Sequence, residues 1–183
     1  MTIIDRLIQR WRISKAIRWV PRGARLLDIG AADGTLFERI GAGVHEGIGI
    51  DPNAQVDRGS ERFRMVRGAF PDDLAETQPF DAITMLAVLE HIPRHQQGRL
   101  VLACARLLKP GGHLVVTIPS PAVDGILHFL QHLKLVHGME VEEHYGFAPA
   151  EALALFSTPE FRLLRRRRFQ LGLNNLFVFE RTG

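Results

Sequence analysis

Leu26-Leu27-Asp28-Ile29-Gly30-Ala31-Ala32-Asp33-Gly34-Thr35-Leu36-Phe37 decides how the rest of the chain is read. Arg25 to Ile29 is a short apolar run of the kind that forms a buried parallel strand. It breaks at Gly30, and helical spacing of Leu36, Phe37 and Ile40 begins almost at once. A strand that turns into a helix through small residues makes a ligand cradle. The first helical N–H groups lack partners within the helix, and missing side chains let a ligand reach the backbone. The loop's charge limits what it can hold. The pattern G-x-G-x-x-G, which seats a pyrophosphate, is absent, because Ala32 and Thr35 stand at its second and third glycine places. Asp28 and Asp33 would repel a pyrophosphate but suit an ammonium or a sulfonium group. A cationic ligand is expected.

Asp28-Ile-Gly-Ala-Ala-Asp-Gly34 resembles the glycine-rich first motif of class I S-adenosylmethionine-dependent methyltransferases, with Ala32 in place of the middle glycine. The resemblance continues in order and spacing over about residues 20–120. Glu46 to Ile50 reads as a second strand ending in Asp51-Pro52-Asn53. An acidic residue about 20 positions past a glycine loop is where a ribose is held, through both hydroxyls. Arg62 to Arg67 is a third strand, followed by Gly68-Ala69-Phe70-Pro71-Asp72-Asp73. Phe80 to Leu86 is a fourth, running into Ala87-Val88-Leu89-Glu90-His91-Ile92-Pro93, which resembles the fourth-strand motif of the same enzymes. Arg94 to Leu108 reads as a helix with Leu100, Ala103, Cys104 and Leu107 buried, stopped by Lys109-Pro110-Gly111-Gly112. His113 to Ile118 is a fifth strand, and Phe161 to Gln170 with Asn174 to Arg181 form a hairpin around Leu171-Gly172.

Strands alternating with helices argue for an α/β doubly wound sheet. The resemblance implies a mostly parallel, seven-stranded Rossmann-like sheet with an antiparallel C-terminal strand. One domain over residues 1–183 is expected. It divides into an N-terminal amphipathic helical segment (1–20), a cofactor-binding core (21–120), a lid or acceptor region (121–156) and the C-terminal hairpin (157–183). Within that frame the resemblance implies that Gly30, Ala31 and Asp33 hold the methionine part of S-adenosyl-L-methionine, Asp51 the ribose, and Ala69 and Phe70 the adenine. Asp28, Pro52 and Gly68 complete the cofactor set, Asp72 is a further candidate near the adenine, and Leu86 and Ala87 wall the reaction centre. Phe70 equally suits the core. Asp81, at a strand start, lies at the wrong end for chemistry and reads as structural.

Three side chains are candidates for acid–base or acceptor contacts. His91 follows the fourth strand and could take a proton from a hydroxyl nucleophile, or simply orient its loop. His144 and Tyr145 fall in the lid region and are candidate substrate contacts. His128 and His132 are four apart, but with no H-E-x-x-H and no nearby cysteine they read as a solvated face, and no metal is expected. Arg165 to Arg168 would alternate along a strand, and guarding a sheet edge explains them better than nucleic-acid binding.

Residues 3–20 carry Ile3, Ile4, Leu7, Ile8 and Trp11 at helical spacing, with Arg6, Arg10, Arg12, Lys15 and Arg18 as a basic side. Three readings stay open: a membrane-surface helix, a flap over the pocket, or a helix packed on the domain with its basic face in water. The formal charge of +3 is too mild to argue for nucleic acid. No apolar run approaches a membrane span and no signal-peptide pattern opens the chain, so a cytoplasmic protein without integral membrane association is expected. The lone Cys104 allows no internal disulfide and reads as a core thiol.

The activity this implies is transfer of a methyl group to a small-molecule oxygen, nitrogen or carbon acceptor. Two rivals share much of the pattern. A non-catalytic S-adenosylmethionine-binding module, or the partner of an active subunit, would keep Asp28, Gly30 and Asp51. An NAD-dependent oxidoreductase shares the fold but not the loop.

Overall fold

Seven strands form one sheet in the order β3-β2-β1-β4-β5-β7-β6. They are β1 (Ala24–Ile29), β2 (Val44–Asp51), β3 (Phe63–Arg67), β4 (Phe80–Leu86), β5 (Leu108–Pro119), β6 (Phe161–Phe169) and β7 (Asn174–Arg181). β1 to β5 are parallel, and only β7 runs against its neighbours. This computed structural model describes residues 3–120 and 148–183. The helix expected through Ile126–Leu133, the His128/His132 pair, and the loop with His144 and Tyr145 lie outside the described residues.

Alternation along the strands sorts the core into two layers. Leu27 and Ile29 of β1, Ile83 and Met85 of β4, and Phe177 and Phe179 of β7 share one face. Against it pack α3 (Arg94–Leu107) and α4 (Pro149–Leu155), the latter through Ala152 and its neighbour Phe156. Ala24, Leu26 and Ala82 face the other way, toward α1 (Ile3–Ala16) and the short α2 (Thr35–Ile40). Close packing there depends on glycine: a Cβ at Gly47 of β2 would lie 2.4 Å from the Phe37 ring of α2. Cys104 is buried in α3, as expected, and burial drives its thiol well above the ordinary range.

The amino ends of the strands are tied by ion pairs. The Arg25 guanidinium meets Glu46 at 2.7 Å and Glu76 at 2.8 Å, and donates to the Gln78 carbonyl at 2.6 Å. Its planar fork also stacks 4.4 Å from the Phe80 ring centre. Asp81 accepts from the Arg25 amide at 2.8 Å and pairs with Lys109 at 2.6 Å, so its role here is structural. These contacts leave the carboxyl ends of the strands to the ligand.

Two sequence expectations change. β5 starts at Leu108, directly after α3, so Lys109-Pro110-Gly111-Gly112 is the irregular first part of the strand. The register shift opposite it, between Phe80 and Ala82, absorbs the extra residues. The second change concerns α1. Its helical period is as expected, but Leu7, Ile8 and Trp11 are exposed, while Ile13 and Ala16 are buried and Gln9 and Arg12 are half-buried. The helix covers the ligand end of the sheet, so its inward side is partly polar and Leu7, Ile8 and Trp11 face out. β6 takes the sheet edge with Arg165 to Arg168 exposed, where charge discourages further pairing.

Candidate active site

One cavity of about 640 Å³ opens at the carboxyl ends of β1, β2 and β4, a size that suits a cofactor together with a small acceptor. Asp28, Gly30, Ala31, Asp33, Asp51, Pro52, Gly68, Ala69, Phe70, Leu86, Ala87 and His91 all line it, with Asp72. Residues brought from four strand ends therefore converge on one space. Of the 121–156 region, the described part is α4, which packs in the core beside α3 and not on this cavity.

The floor is the β1–α2 turn. Gly30 has φ +78, and a Cβ there would stand 2.3 Å from Val88 Cγ2, so only glycine leaves this space. Ala32 takes φ 42 and is exposed; replacing the usual middle glycine strains the backbone rather than crowding the cavity. Ala87, on the opposite wall, is also left-handed at φ 62, held by its amide on the Thr117 carbonyl at 3.0 Å. Asp33 Oδ1 accepts the Thr35 amide at 3.1 Å and the Gln9 side-chain amide at 3.4 Å, which fastens α1 to the loop.

Three carboxylates dominate the electrostatics. Asp28 is buried at 4% exposure and accepts a hydrogen bond from the Thr84 hydroxyl at 2.6 Å. Burial pushes its carboxyl up to about 7; the Thr84 hydrogen bond opposes the rise, and the nearby Asp51 and Asp33 add to it. Asp51 ends β2 and accepts the Asn53 amide at 2.7 Å, which fixes its turn. The Gly68 amide donates to the Asp51 carbonyl at 3.1 Å, bringing the segment after β3 alongside. At the outer rim Asp72 forms an ion pair with Arg99 of α3. Among the described residues no group of three or more His, Cys, Asp or Glu side chains could hold a metal ion.

Sequence reasoning kept a flap over the pocket as one of three readings of α1 but named none of the residues it contributes. Gln9, Arg12 and Ile13 line the cavity over the glycine loop. Arg12 Nε is buried with no hydrogen-bond partner among the described residues. Burial lowers the guanidinium's pKa, and the negative charge of the buried Glu90 works against that fall. The signal was present in the spacing: Gln9, Arg12, Ile13 and Ala16 also recur at helical intervals, opposite the apolar stripe. Asn53, Pro93, Gln96 and Arg99 are further lining residues not anticipated. His91 is exposed at the mouth among Ile92, Pro93 and Leu100, in a loop anchored where the Gln97 side chain donates to the Ile92 carbonyl at 3.0 Å.

Similar proteins bear on this geometry. A family described as a methyltransferase domain matches residues 4–159. A ubiquinone biosynthesis O-methyltransferase of Xanthomonas oryzae is 42% identical over 105 residues, 52% of this chain and 43% of that protein. Its counterpart in Alkalilimnicola ehrlichii is 38% identical over 102 residues, 51% of this chain and 40% of the other. The matched stretches thus span less than half the length of these relatives. Among solved structures, the N-methyltransferase NodS of Bradyrhizobium japonicum superposes with a TM-score of 0.70 at 17% identity, covering 96% of this chain and 97% of that one. The 1,6-didemethyltoxoflavin-N1-methyltransferase of Burkholderia thailandensis gives 0.70 at 17% identity, covering 95% and 78%. At such identities these two speak to the fold.

Proposed function

This chain belongs to the methyltransferase domain family, and from that premise we propose that it transfers a methyl group from S-adenosylmethionine to a small-molecule acceptor. One observation carries the reading: a single cavity at the carboxyl strand ends gathers Asp28, Asp33 and Asp51 around a glycine turn. The donor set fits the cofactor part by part. Asp28 and Asp33 suit its ammonium group, and Arg12, with a buried N–H to offer, suits its carboxylate. Asp51 can accept from both ribose hydroxyls, beside Pro52 and Gly68. Ala69 and Phe70 offer the adenine an apolar wall.

When bound, the cofactor supplies a methyl group already activated by a positive sulfur. The protein's work is then to hold the acceptor in line and keep water out. Leu86, Ala87, Val88, Ile92 and Leu100 give the cavity an apolar wall on the His91 side, which suits an aromatic or aliphatic acceptor. An oxygen nucleophile is favoured by the relatives named as O-methyltransferases. A hydroxyl acceptor must lose its proton, and the position of His91 in the lining of the same cavity supports a role in taking it.

Titration calorimetry with S-adenosylhomocysteine, with and without Asp51→Ala, tests the cofactor site; a labelled-methyl screen of phenols and amines tests the transfer. Binding that Asp51→Ala abolishes is expected, and binding of NAD in its place would overturn the assignment. Binding without transfer to any acceptor would favour a non-catalytic module. His91→Ala should lower transfer to a hydroxyl about 100-fold with cofactor affinity unchanged; full activity would reduce His91 to a wall residue.

A further inference from the structure

α1 presents its apolar stripe to solvent. Leu7, Ile8 and Trp11 are 59%, 39% and 46% exposed, while Gln9, Arg12, Ile13 and Ala16 meet the domain. At about 100° per residue the two sets lie on opposite sides of the helix. The stripe does not end with the helix. The Gln170 side chain donates to the Ile8 carbonyl at 2.9 Å, which brings the tip of the β6–β7 hairpin beside α1. The next residue, Leu171, is 97% exposed in a left-handed turn at φ 56. An exposed leucine at a tip beside an exposed Leu-Ile-Trp stripe is more than scattered surface apolarity.

The charge around this stripe is mostly positive, with Asp5 as the one acidic residue of α1. From Arg6 to Arg22 the sequence holds five arginines and Lys15 and no acidic residue. Arg6, Arg10 and Arg18 are exposed, and so is Arg168 near the hairpin tip. Arg12, the exception, turns inward to the cavity. A ridge of apolar side chains bordered mainly by cations matches an anionic lipid surface: the apolar tips enter the acyl boundary and the cations meet phosphate head groups. Tryptophan suits this position, with an apolar ring and one polar N–H. A helix side with a projecting turn also suits a fluid plane better than a shaped protein groove.

We propose that the outer face of α1 and the Leu171 turn seat this domain peripherally on anionic membranes. The proposal is independent of methyl transfer. It is tested with the full chain and vesicles of phosphatidylcholine with and without phosphatidylglycerol. Co-sedimentation with the anionic vesicles only, weakened by salt, is expected. Leu7→Ser with Trp11→Ser should cut this binding about tenfold or more, since both side chains are already exposed and the fold does not depend on them. Leu171→Ser, on a different element, should also weaken it. In a Trp19→Phe background, Trp11 emission should shift to the blue on adding vesicles.

Three results would overturn the proposal. One is equal binding to neutral vesicles, or binding that neither variant changes. Another is a dimer by light scattering that the Leu7/Trp11 variant converts to monomer, which would assign the face to a second copy. The third is Trp11 already shielded from iodide without lipid, which would show that the chain covers the face itself.

Discussion

Replacing Asp28 with asparagine separates the cost of a buried carboxyl from its use. Its carboxyl rises from 3.8 to about 7, chiefly through burial. A carboxyl raised on folding stabilises the fold fully at low pH and loses that contribution as pH climbs to the folded value. Between 3.8 and about 7 the unfolded chain ionises first, so stability falls; above about 7 the loss levels off. At ~1.4 kcal/mol per pH unit the interval is worth at most about 4 kcal/mol, and local relaxation makes ~2–4 kcal/mol the working range. Asparagine keeps the shape and the oxygen that accepts the Thr84 hydroxyl, but it never ionises. Near pH ~8 the Asp28→Asn protein should therefore be more stable by ~2–4 kcal/mol, or roughly 4–16 °C in melting temperature for a domain this size. Near pH ~4 the gain should shrink below about 1 kcal/mol. Affinity for S-adenosylhomocysteine should move the other way and fall at least about tenfold near pH ~8. Scanning calorimetry across the pH range and titration calorimetry read the two effects. Equal melting temperatures at high pH, or an advantage that persists unchanged at low pH, would refute the burial argument.

Other substitutions address the remaining parts. Gly30→Ala should destabilise by ~2–4 kcal/mol, because its Cβ meets Val88 and its φ disfavours a side chain; adding Val88→Ala should restore the steric share only, by urea denaturation. Arg12→Met removes the buried cation over the glycine loop and should lower affinity for S-adenosylhomocysteine about tenfold, a loss that adding Glu90→Gln should not restore, as calorimetry would show. Glu76 reports the opposite end of the sheet. Burial raises its pKa, but hydrogen bonds from Gln78, Arg25 and Thr77 outweigh that and bring it down to about 2, so its contribution holds above 4.5 and is lost as pH falls through about 2. Glu76→Gln should cost ~1–2 kcal/mol near neutral pH, after allowance for solvent screening, and nothing in strong acid.

The strands were legible because parallel β1 to β5 repeat one local pattern, an apolar run broken by glycine, proline or aspartate at the ligand end. That pattern also located Gly30, Asp51 and His91 around a common cavity, since strand ends in such a sheet converge. What failed was α1. A helical period tells which residues share a side but not which side meets the domain, and here a cavity lies beneath it. Of the three readings, only the packed helix with its basic face in water would set Arg12 in solvent and Trp11 against the domain. The perturbed Asp28 was equally invisible, because burial by Thr84 and its neighbours is a tertiary property. Ala32 is legible only as a replaced middle glycine; its left-handed backbone belongs to the folded turn.

The two sides of α1 have a thermodynamic consequence. Gln9 and Arg12 reach the cavity from one side, and Leu7, Ile8 and Trp11 reach solvent from the other, within little more than a turn. Whatever grips the outer side holds the inner side in register, and whatever fills the cavity fixes the outer side. Linkage makes this reciprocal: if docking on the outer face tightens ligand affinity by some factor, ligand tightens docking by the same factor. One rigid helix is enough to carry that coupling, with no change elsewhere in the sheet.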